Sequence, residues 1–274
     1  MGNFDFIEAS VKGYEFVWTQ RSYLMRVVVP VLFVKVACLL GVFVLHLQHD
    51  YLLQGLVMLP AYVVEALFCV GLIRYMLYGE PIFIWGKAVS VPESGVEAVP
   101  YSGYYSRLQC YQGGIAMFLL IKVMLVLCLA LMSVPASEPV EISGEPPEYP
   151  AGVYVLNAFI MFGFISALLW SVRLLWLYVP LVIGVPLKSF FKITKGMSFS
   201  FSVVLACLIC ALPLMTVFGV LFLISVEVLQ ESSANGIIVK YVIFAIADLV
   251  MIAIQTVAMV HGIRQIVSGT VKND

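Results

Sequence analysis

Residues 31–40 read VLFVKVACLL, nine apolar side chains around a single charge, Lys35. The run continues apolar on both sides, as VVVP before it and GVFVL after it. That is the length and composition of a membrane-crossing helix, which takes about 20 mostly apolar residues. A lysine inside such a helix is costly and demands a partner or a purpose. The same device returns as FLLIKVMLVL, residues 118–127, around Lys122.

Working outward, the chain has 274 residues, 62% hydrophobic and 11% charged. Soluble domains carry about 25% charged residues, and the mean hydropathy of +1.05 belongs to a chain that buries most of its length in lipid. Six segments qualify as spans: Tyr23–Leu47, Leu52–Tyr78, Tyr111–Val134, Ala151–Tyr178, Phe199–Val228 and Ile237–Ile266. The fold expected is therefore all-α, a six-span transmembrane domain over 23–274 preceded by an N-terminal helix over 1–22. The net charge of −1, with no basic arm, argues against nucleic acid as a partner. The lipid bilayer is the expected partner, together with other membrane subunits.

No cleavable leader is expected, because the first apolar run follows a polar lead containing Asp5, Glu8 and Glu15. MGNFDF starts like a myristoylation signal, but Phe6 stands where Ser or Thr is needed. The six cysteines, Cys38, Cys69, Cys110, Cys128, Cys207 and Cys210, mostly fall inside apolar runs without framework spacing. They read as buried thiols rather than disulfides.

Lys and Arg set the direction. Lys12, Arg21, Arg26, Arg74, Lys87, Arg107, Arg173, Lys188, Lys192, Lys195, Arg264 and Lys272 fall on one side. The connections HLQHDY, PASEPVEISGEPPEYP and QESSANG on the other side hold none, and Lys240 alone lies near that face. Both termini are thus expected in the cytoplasm. The outer loop 135–150, with five prolines and four glutamates, reads as solvated and extended. The cytoplasmic loop 79–110 contains PIFIWG, whose Trp85 suits the interface. Phe4, Ile7, Val11, Tyr14 and Trp18 recur at helical spacing and are expected to form one face of an amphipathic helix, lying on the interface or packed beneath the bundle. PLKSFFKITKGMSFSF, 186–201, reads as a second short interfacial element.

Repetition is visible too. FVKVACLL and LIKVMLVL match at similar depth, after TQRSY and YSRLQ, and IRYMLYG (73–79) matches IRQIVSG (263–269) as I-R-x4-G. The spans are expected to form three hairpin pseudo-repeats. Arg74, Arg173 and Arg264 mark the cytoplasmic ends of spans two, four and six.

Lys35 and Lys122 lie about eight residues in from the cytoplasmic boundary, roughly 12 Å deep, against a midplane at about 15 Å. Two acids sit at similar depth in spans running the other way: Glu65 in YVVEALF and Asp248 in AIADLVM. Each charge, unpaired, costs about 2.5–3.5 kcal/mol or more, so pairing within the bundle is expected. Lys35 pairs naturally with Glu65 across the first hairpin, which leaves Lys122 for Asp248 by elimination. On that basis Lys35→Met with Glu65→Leu should recover what Lys35→Met loses. Structurally, such pairs fix which helices touch and in what register. Functionally, they would line a polar path, and Pro30 and Pro60, each five residues before a charge, are places where a helix can open.

CLIC, 207–210, has redox spacing but lies deep in apolar sequence, where packing thiols are expected. HLQHD, 46–50, offers two histidines and an aspartate but no convincing third metal ligand nearby. His261 reads as interfacial. The chain holds no H-E-x-x-H, G-x-S-x-G, P-loop or Rossmann glycine pattern. The expectation is no enzyme, no cofactor, no metal site and no catalytic residue.

GLIRYMLYGEP, 71–81, resembles the R-x-x-L-x-G-E end of the second span in a set of six-span bacterial inner-membrane proteins. LYVPLVIGVPLKSFFKITKGMSFSFSVVLACLICALPL, 177–214, resembles their passage around a T-K-G core, here Thr194, Lys195 and Gly196. That set is similar to the integral membrane domain fused to some glycerophosphodiester phosphodiesterases. The resemblance implies a bacterial inner membrane and a role in transport or in holding a partner, and no catalytic residue carries over. Two functions follow as expectations: a non-enzymatic scaffold or accessory subunit of a membrane complex, or a small-solute or ion transporter using Lys35, Glu65, Lys122 and Asp248. An enzyme acting on lipid headgroups through loop 79–110 is a weaker third.

Overall fold

The computed structural model describes residues 4–83, 106–132, 169–228 and 234–271, with isolated positions between 159 and 166. All regular structure among the described residues is helical. The helices are α1 (Phe6–Thr19), α2 (Arg21–Val44), α3 (Tyr51–Tyr78), α4 (Arg107–Met132), α5 (Tyr178–Ile183), α6 (Leu187–Ile193), α7 (Met197–Val228) and α8 (Ala234–Val271). Five of them, α2, α3, α4, α7 and α8, contain stretches long and apolar enough to cross a membrane. The first part of the expected fourth span, Ala151–Tyr178, through residue 158 and several positions up to 168, and the loop positions 84–105 and 133–150 lie outside the described residues.

Local chemistry sets the helix ends. Asp5 caps α1 by accepting from the amides of Ile7 and Glu8, and Asp50 caps α3 by accepting from Leu52 and Leu53. The α2–α3 hairpin turns through His46 in the left-handed region and a 3-10 turn over Leu47–His49. HLQHD is thus a turn and a cap. Gly79 ends α3 at φ 67°, where glycine carries no Cβ penalty. Its counterpart in the I-R-x4-G match, Gly269, lies inside α8, so the two ends are built differently.

α3 is the central helix. It packs against α2, α4, α5 and α8, and 56% of its span is buried, against 6% for that of α7. Its buried run from Phe68 to Ile73 joins Val179, Val182, Val257 and Val260 in the main apolar core. A second apolar cluster, Leu39, Val42, Met58, Ala61 and Ala245, joins α2, α3 and α8 further toward the hairpin turn.

α1 is clamped onto α8 and α7. Its buried face is made of small residues, Ala9, Ser10 and Gly13, each with negligible exposure. A Cβ on Gly13 would lie 2.7 Å from the Ile254 carbonyl oxygen, so only glycine lets the two backbones come this close. Ser10 donates to the Phe6 carbonyl at 2.7 Å and reaches that of Ala206 on α7, and Tyr14 donates to the Cys210 carbonyl at 2.6 Å. Burial pushes the Tyr14 phenol above its ordinary pKa. Phe4 packs edge-on against Phe199. Of the expected apolar stripe, Phe4 is buried and Tyr14 half-buried, while Ile7, Val11 and Trp18 are exposed on the outer side. The docking face is chosen by size, because close approach to α8 has room for small residues only.

Candidate functional site

The four charges expected at mid-membrane converge from four helices. Lys35 lies on α2 between Val31 and Leu39, Glu65 on α3 between Ala61 and Phe68, and Asp248 on α8 between Ala245 and Leu249. Those neighbours belong to the two apolar clusters, so the charges sit between two layers of buried hydrocarbon. Lys122 comes from α4, beside the aromatic rings of Tyr62 and Phe118 at 5.4 and 5.5 Å.

The Lys35 ammonium donates to Glu65 Oε1 and also to Asp248 Oδ2. Lys122 Nζ stands 3.0 Å from Glu65 Oε2 as an ion pair. The result is an alternating chain, Asp248–Lys35–Glu65–Lys122, with two positive and two negative members. Lys35 and Glu65, the interior links, are 3% and 1% exposed. The side chains at the two ends are more open, 35% for Asp248 and 25% for Lys122.

The expected Lys35–Glu65 pair is present. The expected Lys122–Asp248 pair is corrected: Asp248 is held by Lys35, and Lys122 by Glu65. Elimination assigned one partner to each charge, whereas a lysine with three donors can serve two carboxylates, and a carboxylate with two oxygens can take two lysines.

The three arginines are not brought together. Arg74 pairs with Glu80, its Nε donating at 2.6 Å, and lies over the Tyr111 ring. Arg173 is buried against Trp170 and the Thr194 carbonyl. Arg264 sits one turn from His261 on α8. The cysteines are all free. Cys69, Cys110 and Cys210 are buried as expected, while Cys128 is exposed on the outer side of α4.

Two features escaped the sequence reading. One is the small-residue face of α1, for which the A-S-x-x-G spacing was the available signal. The other is a buried hydroxyl pair, Tyr178 and Thr256, whose oxygens are 3.0 Å apart between α5 and α8. Nothing in the sequence singles out that pair.

No family model, curated protein or solved structure matches the chain. The fold itself defines a class: an all-helical, multi-pass membrane protein with a neutral charge chain embedded among its spanning helices.

Proposed function

We propose that the chain is a non-enzymatic scaffold or accessory subunit of a membrane complex. The observation that carries this reading is the Asp248–Lys35–Glu65–Lys122 chain. Each of these charges is held by another of the set, and the set sums to zero. Such a network ties α2, α3, α4 and α8 into one register, a use of buried ion pairs better attested than any large gain in stability. The outward face of α7 supports it further. Leu212, Met215, Val217 and the run Val220–Ile224 are exposed, an apolar flank suited to lipid or to another subunit's helices.

In this proposal the protein sits in a bacterial inner membrane with six spans arranged as three hairpins and both termini cytoplasmic. The resemblance to the membrane domain of glycerophosphodiester phosphodiesterases supports a partner-holding role. Native mass spectrometry of the protein released from its own membranes in gentle detergent tests the proposal. A stoichiometric protein partner is the expected result, and a bare monomer or homo-oligomer in every preparation would refute it.

A second reading, a small-solute or ion transporter, is favoured by one observation: both ends of the charge chain reach the bundle surface. It requires flux in reconstituted vesicles that Lys122→Met and Asp248→Asn abolish.

A further inference from the structure

A second cationic feature lies apart from the charge chain, where the Arg173–Trp176 turn meets α6 and the start of α7. Trp170, Arg173, Phe191 and Lys195 line an open, surface-facing cavity of about 410 Å³. Arg173 is 2% exposed. Its Nε donates to the Trp170 carbonyl at 3.1 Å and its Nη1 to the Thr194 carbonyl at 2.7 Å. Its guanidinium lies 4.0 Å from the centre of the Trp170 ring. Both hydrogen-bond partners are neutral. A guanidinium has five N–H donors, so three stay available, and no carboxylate neutralises Arg173 among the described residues.

The surroundings add positive charge and no negative charge. Lys195 is exposed on the cavity wall and has no ion-pair partner among the described residues. Lys188 and Lys192 are exposed on α6. No Asp or Glu occurs between Glu148 and Glu227, while all four of these cations do. A buried, uncompensated arginine is costly unless an anion completes it. Arginine's planar fork matches a phosphate bidentately. Tryptophan on the rim and phenylalanine in the wall suit the level where lipid headgroups meet acyl chains.

We propose that this cavity binds a net-anionic phosphate ester, carried on a lipid headgroup or free in solution. Arg173 grips the phosphate from within, Lys195 closes on it from the outer side, and Trp170 and Phe191 cover the adjoining apolar part. Basic pockets among membrane helices are an established mode of headgroup capture.

The test uses the full chain in an uncharged detergent, with native mass spectrometry counting retained lipid during titration with phosphatidylglycerol or phosphatidylcholine. One phosphatidylglycerol per chain, held more tightly than phosphatidylcholine, is expected. Lys195→Gln should weaken it about tenfold, the loss of one charge-assisted contact. Lys12→Gln, on α1 and paired with Glu15, should leave it unchanged. Arg173→Gln should abolish binding, and if that variant does not fold, Lys195→Gln decides. Inorganic phosphate is titrated in parallel by calorimetry. Binding of phosphate that displaces the lipid supports a soluble source, and lipid binding indifferent to phosphate supports the headgroup. Equal retention of the two lipids, or equal losses in Lys12→Gln and Lys195→Gln, would overturn the proposal.

Discussion

Lys35 holds two acids at once, and that position decides what its loss does. Replacing it with Met leaves Asp248 with no cation and Glu65 with Lys122 only. Breaking a buried pair by removing one partner costs about 3–5 kcal/mol, and Lys35→Met is expected in that range by thermal unfolding in detergent. Lys122→Met should cost clearly less, because Lys122 ends the chain and its side chain is partly open. Equal losses for the two lysines would contradict the order of links in the chain. The network also changes the outcome expected of a compensating pair. Lys35→Met with Glu65→Leu strands both ends, Lys122 and Asp248, so it should stay unstable. The identities of the four residues were legible in the sequence, since a charge stands out against apolar neighbours. Their wiring was not, because Lys35 and Asp248 lie 213 residues apart and sequence depth says nothing about which helices adjoin.

At the scale of the element, α1 shows what periodicity leaves open. The Ile7, Val11, Tyr14, Trp18 part of the spacing lies in a helix, with Phe4 just ahead of its Asp5 cap, and much of that stripe faces outward. In a membrane, apolar character does not separate a lipid-facing stripe from a packed one, and small residues mark the close contact instead. The docking rests on two tight approaches, at Gly13 and at Gly262. A Cβ on Gly262 would fall 1.7 Å from Phe4 Cε2, so Gly262→Ala should eject the Phe4 ring and loosen the start of α1. Overpacking of this kind costs about 1–3 kcal/mol, and hydrogen exchange of the α1 amides should rise. Unchanged exchange would show that Phe4 does not anchor the helix. Tyr14→Phe, which removes the hydroxyl held by the Cys210 carbonyl, should cost about 1 kcal/mol in the same unfolding measurement.

Across the whole molecule, length and hydropathy were enough to read a multi-pass helical protein, because each apolar run announces its own span. Direction rests on the Lys and Arg asymmetry. In a cysteine-free background, Ser137→Cys should be labelled by an impermeant reagent from outside and Ser90→Cys only after permeabilisation. Outside labelling of Ser90→Cys would reverse the orientation. The proposed function has the charge chain bind the spans into one register, and a double-variant cycle measures it most directly. Unfolding midpoints are compared for Lys35→Met, Asp248→Asn and both together, since the pair of changes removes both links of Lys35 without stranding the Asp248 charge and leaves Glu65 with Lys122 as a neutral pair. The double variant is expected to lose less than the two singles combined, with a coupling of about 0.5–3 kcal/mol. Strict additivity would mean that Lys35 and Asp248 do not hold each other, and the charge chain would not be what fixes the register of the helices.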